Sequence, residues 1–145
     1  DSSEVWGSFR VANRAYPKNL SIKELDNQIN ISCSHTGYAK QGKGIWHIRN
    51  WLMKDNEIEV IDQIKGEYNT ATSRVIFHPN VSITKKHNSI FDIHLLSGKR
   101  LKLKLLNGDG KIIKVKHAIE FGKVLDTKCL LIQINDSNSH YKLTW

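Results

Sequence analysis

Long apolar runs are missing from this chain. No stretch approaches the ~18 consecutive apolar residues that a membrane-spanning helix requires, which excludes a span of that kind. The opening DSSEVWGSFRV lacks the charged start, apolar run and small-residue cleavage site of a signal peptide, so either the mature chain begins here or it is a piece of something longer. Cysteine is scarce. Cys33 and Cys129 stand far apart in strand-like surroundings without the close spacing of a zinc site, which leaves two buried thiols or a disulfide and does not fix the compartment. Helical periodicity is scarce too: IKELDNQ and HAIEFGKVL each suggest a turn or so of helix, too little to organise a fold.

Alternation is what the sequence has in quantity. QINISCSH sets Ile29, Ile31 and Cys33 against Asn30, Ser32 and Ser34, the pattern of a half-buried strand. After a loop from Thr36 to Lys43, GIWHIRNWLM and EIEVIDQI flank the turn Lys54-Asp55-Asn56 and predict a hairpin. SRVIFH, VSITKK, SIFDIHLL, KRLKLKLL, KIIKVK, TKCLLIQI and HYKLTW follow, most of them bounded by turn residues such as Pro79-Asn80, Ser97-Gly98 and Asn107-Gly108. In KRLKLKLL, Leu101, Leu103 and Leu105 should face a core while Lys102 and Lys104 face water. The expected fold is all-β, a largely antiparallel two-layer β-sandwich of about ten short strands forming a single domain over residues 1–145.

Local catalytic signatures are thin. The seven histidines show none of the short ligand spacings of a zinc site, since His87 and His94 are seven apart and His35 and His47 twelve apart, so no metal site is expected within the chain. No serine sits in a GxSxG elbow, and GYAKQGKG lacks the following helix of a phosphate loop. The net charge of +8, supplied mostly by lysine, favours polyanions such as acidic polysaccharide, but lysines also keep sheet edges from pairing. Trp6, Phe9, Trp46, Trp51, Phe77 and Phe91 occupy strand positions as core would, so a nucleic acid is not the expected partner, and the missing long apolar run argues against a membrane.

DSSEVWGSFRVANRA, then SHTGYAKQGKGIWHIRNWLMKDNEIEVIDQIKG, then RVIFHP resembles the C-terminal β domain of heparinase II/III-like polysaccharide lyases. In that family a segment like SSEVWGSFRVGRRA precedes a strand ending in H-D-G-Y, an H-R-R strand, a hairpin, a strand ending in D-x-(I/V)-x-G and a strand ending in H-P. The order is the same here over roughly residues 1 to 80, with Thr36 in place of the aspartate and Asn50 where the second arginine would lie.

The resemblance implies a parent enzyme with an N-terminal α/α toroid domain and a C-terminal antiparallel β domain, cleaving uronate-containing acidic polysaccharide by β-elimination, with the periplasm or cell envelope as its place. It implies that an Asn or His and a Tyr come from the toroid. The β domain adds a His from an H-x-H-A-D-like segment and, in some members, a bound zinc. No H-x-H-A-D occurs here, and in the family it precedes SSEVWGSFRV. The expectation is therefore a non-catalytic fragment with no cofactor of its own, zinc belonging to the parent, with a stand-alone carbohydrate-binding module or a pure scaffold as the alternatives. His35 and Tyr38 fall at a strand-to-loop corner, lining a sugar cleft or pinning the turn. His47 and Arg49 share a strand face and can pair with Asp62 or Glu59 across the hairpin. Together His35, Tyr38, Lys40, Lys43 and Arg49 are the candidate contacts to acidic sugar.

Overall fold

The structure, a computed structural model, describes residues 4–7, 10–39 and 44–145, with the backbone alone for residues 4–6 and 10–13. Among the described residues thirteen strands follow one another: β1 (Glu4–Gly7), β2 (Arg10–Asn13), β3 (Pro17–Leu25), β4 (Gln28–His35), β5 (Trp46–Lys54), β6 (Glu57–Lys65), β7 (Thr72–Ile76), β8 (Ser82–His87), β9 (Ile90–His94), β10 (Arg100–Asn107), β11 (Asp109–Glu120), β12 (Lys123–Gln133) and β13 (Asn138–Thr144). A large sheet of eight strands runs β3-β4-β5-β6-β13-β10-β9-β8, a small sheet of three runs β11-β12-β7, and β1 pairs with β2. Every pairing is antiparallel. The all-β antiparallel sandwich expected from the alternation is the fold found.

The ten strands legible in the sequence are all present, and β1, β2 and β3 are additional. β3 escaped because its alternation is broken: Asn19 has φ 55° and the pairing with β4 slips between Lys18 and Ser21, so Leu20 and Ile22 do not read as one continuous face. Neither short helix forms. IKELDNQ is the end of β3, an Asp26-Asn27 turn and the start of β4, and HAIEFGKVL is the β11–β12 hairpin turning at Phe121-Gly122. At φ 73°, Gly122 supplies the left-handed residue that this turn needs, and sheet pairing on both sides outweighs the modest helix propensity of the lysines and glutamates.

Register assigns the faces. Ile31, Trp51, Val60, Tyr141 and Leu105 lie in one row across five strands of the large sheet, on the face that looks toward the small sheet. The core forms where both sheets overlap: Ile83, Phe91, Ile93, Leu103 and Leu105 from β8, β9 and β10 meet Leu130 and Ile132 from β12. Lys102 and Lys104 point to water on the opposite face, as the Leu-Lys alternation requires. Phe91 is wholly buried, whereas Trp51 is half-buried and lines a cleft instead of the core. Trp6 and Phe9 fall outside the described side chains. Cys129 is buried on β12 and Cys33 half-buried on β4; both are free thiols.

The small sheet is too narrow to cover the large one. Its strands lie over β6-β13-β10-β9-β8, and the same inner face of β3, β4 and β5 is left open, with Ile22 60% and Ile29 38% exposed. Two glycines separate backbone strain from packing. Gly98 (φ 82°) has open space where a Cβ would go, while at Gly108 (φ 103°) a Cβ would fall 2.7 Å from the Gln133 carbonyl oxygen. Gly98→Ala should cost about 1–2 kcal/mol through its left-handed backbone. Gly108→Ala should cost a further ~1–3 kcal/mol for the clash. Urea midpoints of the two variants check this, and equal losses would contradict it.

Candidate functional site

The hairpin of β5 and β6 builds the site. Arg49 stands directly opposite Asp62, and His47 opposite Ile64, so His47, Arg49 and Asp62 project from the inner face together. On the other side of β5, Cys33 pairs with Arg49 and His35 with His47, and beyond β6, Ser139 pairs with Asp62. A carboxylate thereby occupies a core-phase position: Ile58, Val60, Asp62 and Ile64 alternate along one face of β6, and Asp62 is 1% exposed.

Such burial is tolerable only because the carboxylate is saturated with donors. Oδ1 accepts from Arg49 Nε at 2.6 Å and from His47 Nε2 at 2.7 Å. Oδ2 accepts from Arg49 Nη2 at 2.9 Å, Ser73 Oγ at 2.7 Å and Ser139 Oγ at 3.5 Å. Arg49 Nη2 also reaches Ser73 Oγ at 3.2 Å. The fork-to-fork geometry ties β5 to β6, and Ser73 brings in β7 from the small sheet, so this one carboxylate joins both layers.

From Asp62 a directional chain runs outward. The Gly37 N–H donates to His35 Nδ1 at 3.1 Å, which leaves the proton of a neutral His35 on Nε2. That Nε2–H donates to His47 Nδ1 at 2.9 Å, and His47 in turn donates from Nε2 to Asp62. All three bonds form together only when both imidazoles are neutral and protonated on Nε2, for an extra proton on His47 Nδ1 would face the one already on His35.

The electrostatics agree. Burial acts to raise the Asp62 carboxyl, but hydrogen bonds from His47 and Arg49, the Arg49 charge and the Ser73 hydrogen bond overcome it and hold the group well below the usual carboxylate range. His35 is lowered, first by burial and then by the neighbouring His47 and Arg49. Behind them Tyr141 is raised, chiefly by burial.

These groups floor a cleft of about 1050 Å³ that opens between β7 and the uncovered half of the large sheet. Of the candidate sugar contacts, His35, Tyr38 and Arg49 come together on its wall; the rings of His35 and Tyr38 lie 5.3 Å apart, and Tyr38 is 40% exposed at the rim. The Arg49 guanidinium, committed to Asp62 and packed 5.9 Å from the Trp51 ring, is largely neutralised as an anion receptor. Lys40 and Lys43 lie outside the described residues. Glu59, the other pairing option for His47 and Arg49, is on the opposite face, where it binds His140 at 2.8 Å and Lys142 at 2.9 Å. Its place beside Leu52 rather than Arg49 is set by register, one residue out of phase with Asp62.

Ser73 and Ser139 were not among the sequence candidates. Their signal is the same as that of Asp62, a polar residue at an apolar phase: Ser73 precedes Val75 and Phe77, and Ser139 precedes Tyr141 and Leu143. The zinc that the resemblance implies for some parents finds no ready cradle among the described residues. Among the described residues no three His, Cys, Asp or Glu side chains form a group able to hold an ion, and the ring nitrogens of His35 and His47 are engaged.

The class is thus an antiparallel sandwich with a half-open, polar-floored cleft. The chain matches the family described as Heparinase II/III-like, C-terminal, over residues 1–130, and it belongs to that family. Among solved structures it is similar to heparan sulfate lyase HepC from Pedobacter heparinus (TM-score 0.72, 14% identity, covering 88% of this chain and 21% of that one). It is also similar to a heparinase III, the BT4657 gene product (TM-score 0.66, 11% identity, 90% of this chain and 21% of that one). At these identities the likeness is one of fold, and the chain spans only 21% of the length of either structure. No curated protein sequence matches it.

Acid should dismantle the chain of bonds from its outer end. A group whose folded pKa is depressed stabilises the fold above its unfolded value and loses that contribution as pH falls. The His35 contribution is therefore lost first, below its ordinary 6.5, and that of Asp62 only below its ordinary 3.8. His35→Gln, which keeps a donor toward His47 but does not titrate there, should flatten the fall in stability just below pH 6.5 and leave the steeper fall below pH 3.8. Denaturant midpoints across pH check this; parallel profiles for the two proteins would contradict it.

Proposed function

We propose that this chain is the C-terminal β domain of a longer polysaccharide lyase that cleaves uronate-containing polysaccharide by β-elimination, and that the domain braces and lines the substrate cleft without carrying the catalytic groups. Membership of the heparinase II/III-like C-terminal family supports the reaction class. The observation that carries the division of labour is the bonding of the histidine pair: both ring nitrogens of His35 and of His47 are used within the protein. β-Elimination needs a donor or cation to neutralise the uronate carboxylate, a base for the C5 proton and an acid for the leaving oxygen. An imidazole held between an amide, a second imidazole and a buried carboxylate is suited to shaping a wall and poorly placed to take that proton. The catalytic groups then come from the remainder of the parent chain, with an N-terminal α/α toroid as the partner domain and the periplasm or cell envelope as the place of action.

A second reading, a carbohydrate-binding module, is favoured by the rim position of Tyr38 and by Trp51 on the cleft wall. Titration of the chain with acidic and neutral oligosaccharides at two salt concentrations, following single-residue amide shifts, separates the two when the same samples are assayed for unsaturated uronate. The expected result is shifts confined to residues 35–49 with acidic sugar, weakened severalfold by salt, and no product. Strong binding of neutral sugar centred on Tyr38 and Trp51 would favour the module, and product from this chain alone would overturn the proposed division of labour.

A further inference from the structure

The free edge of β7 borders the cleft, and its chemistry differs from that of the other sheet edges. Ala71 and Phe77 exchange backbone hydrogen bonds with the β12 side, through Ile134 N to Ala71 O and Phe77 N to Lys128 O, both at 3.0 Å. In an antiparallel ladder the bonding residues alternate, so Ser73 and Val75 also face β12, while the N–H and C=O groups of Thr72, Arg74 and Ile76 face the cleft. Among the described residues nothing pairs with that edge.

Exposed edges are ordinarily blunted by bulges and lysines. β3 has a register break between Lys18 and Ser21 and carries Lys23 as well. β8 has one between Lys85 and His87 with Lys86 between them, and β11 has one between Ala118 and Glu120 with Lys111, Lys114 and Lys116 along it. β7 pairs without a break from Thr72 to Ile76, carries no lysine, and lies beside the uncovered inner face of β3, β4 and β5. An edge with neither bulge nor lysine, Arg74 its one charge, next to an uncovered apolar face is the geometry of a sandwich lacking a strand.

We propose that in the full-length protein an extended strand from the part of the chain N-terminal to these residues adds to the β7 edge and closes the sandwich over Arg49 and Trp51. This rests on the reading that the chain is the C-terminal part of a longer polypeptide, for which the 21% coverage of the related structures is the support. A strand spaced ~4.8 Å from β7 continues the small sheet over the open half of the large one, with alternate apolar side chains directed at Trp51 and Ile31. A second copy fits less well: a two-fold β7–β7 pairing that uses the whole of Thr72–Ile76 would set Arg74 directly against its own symmetry mate. A polysaccharide fits the uncovered apolar face of Ile22, Ile29 and Ile31 beside the cleft less well still. Because Ser73 lies over Asp62 and Ala71 packs with Ile64, the added strand covers the rows of Arg49 and Trp51 and leaves His35 and Tyr38 at the open end of the cleft.

The test is hydrogen exchange at single-residue resolution on the full-length protein, with Ser73 and Val75 as internal references already bonded to β12. The amides of Thr72, Arg74 and Ile76 should exchange about a hundredfold or more slowly than in an unstructured chain, at every protein concentration and without added sugar. Rapid exchange at the three in a longer chain overturns the strand alone. Protection that grows with protein concentration assigns the edge to a second copy, and protection that requires an acidic oligosaccharide assigns it to substrate; either overturns the proposal. A native gene product no longer than these 145 residues would instead overturn the reading on which it rests.

Discussion

The buried Asp62 carboxylate is the constraint around which the rest of the molecule is arranged. A charge 1% exposed in a β-sandwich is tolerable only where the chain supplies donors from several directions, and here they come from β5, β7 and β13 together. The arrangement links strands distant in sequence: Ser73 reaches Asp62 from the small sheet, and Ser139 from the neighbouring strand of the large one. It also reaches outward, because the tautomer of His47 is set by Asp62, that of His35 by His47, and the turn at Gly37 is pinned by His35. Removing Arg49 would leave the Asp62 charge uncompensated, which in buried pairs costs about 3–5 kcal/mol.

Most of the sandwich was legible from alternation alone, because strands whose two faces see different environments must alternate. Legibility failed where that condition failed. β3 is exposed along its whole length and broken by Asn19, so no burial pattern marks it. The β11–β12 hairpin tip, with Phe121 97% exposed, extends where no core imposes alternation, so its sequence reads as a helical turn. The site was half legible. Strand phase placed His47 and Arg49 on one face and offered Asp62, but choosing Asp62 over Glu59 requires the register, a one-residue matter that side-chain chemistry does not resolve. Ser73 and Ser139 belong to strands far from the hairpin, and only the three-dimensional pairing of β13 with β6 and the crossing of β7 over Asp62 bring them in.

The unequal widths of the two sheets connect architecture with function. A complete sandwich would bury Trp51 and Ile31 between layers; this one leaves Trp51 on a cleft wall and Ile31 on the uncovered face, next to a strand edge that no described residue pairs with. The polar floor is therefore built at the boundary between covered and uncovered halves, where a neutral imidazole pair can face both the protein interior and a ligand-sized space. The similar solved structures are several times longer than this chain, and on the proposed reading such a boundary is where further polypeptide would meet the β domain.

The most direct measurement of the central claim is the protonation pattern of the two imidazoles, read from long-range proton–nitrogen correlations in histidine-labelled protein at neutral pH. If Asp62 organises the site as described, His35 and His47 both appear as neutral rings protonated on Nε2, and Asp62→Asn removes that uniformity. Either ring protonated on Nδ1, or a cationic His47 in the folded protein at neutral pH, would contradict the directional chain and return the pair to candidacy for proton transfer.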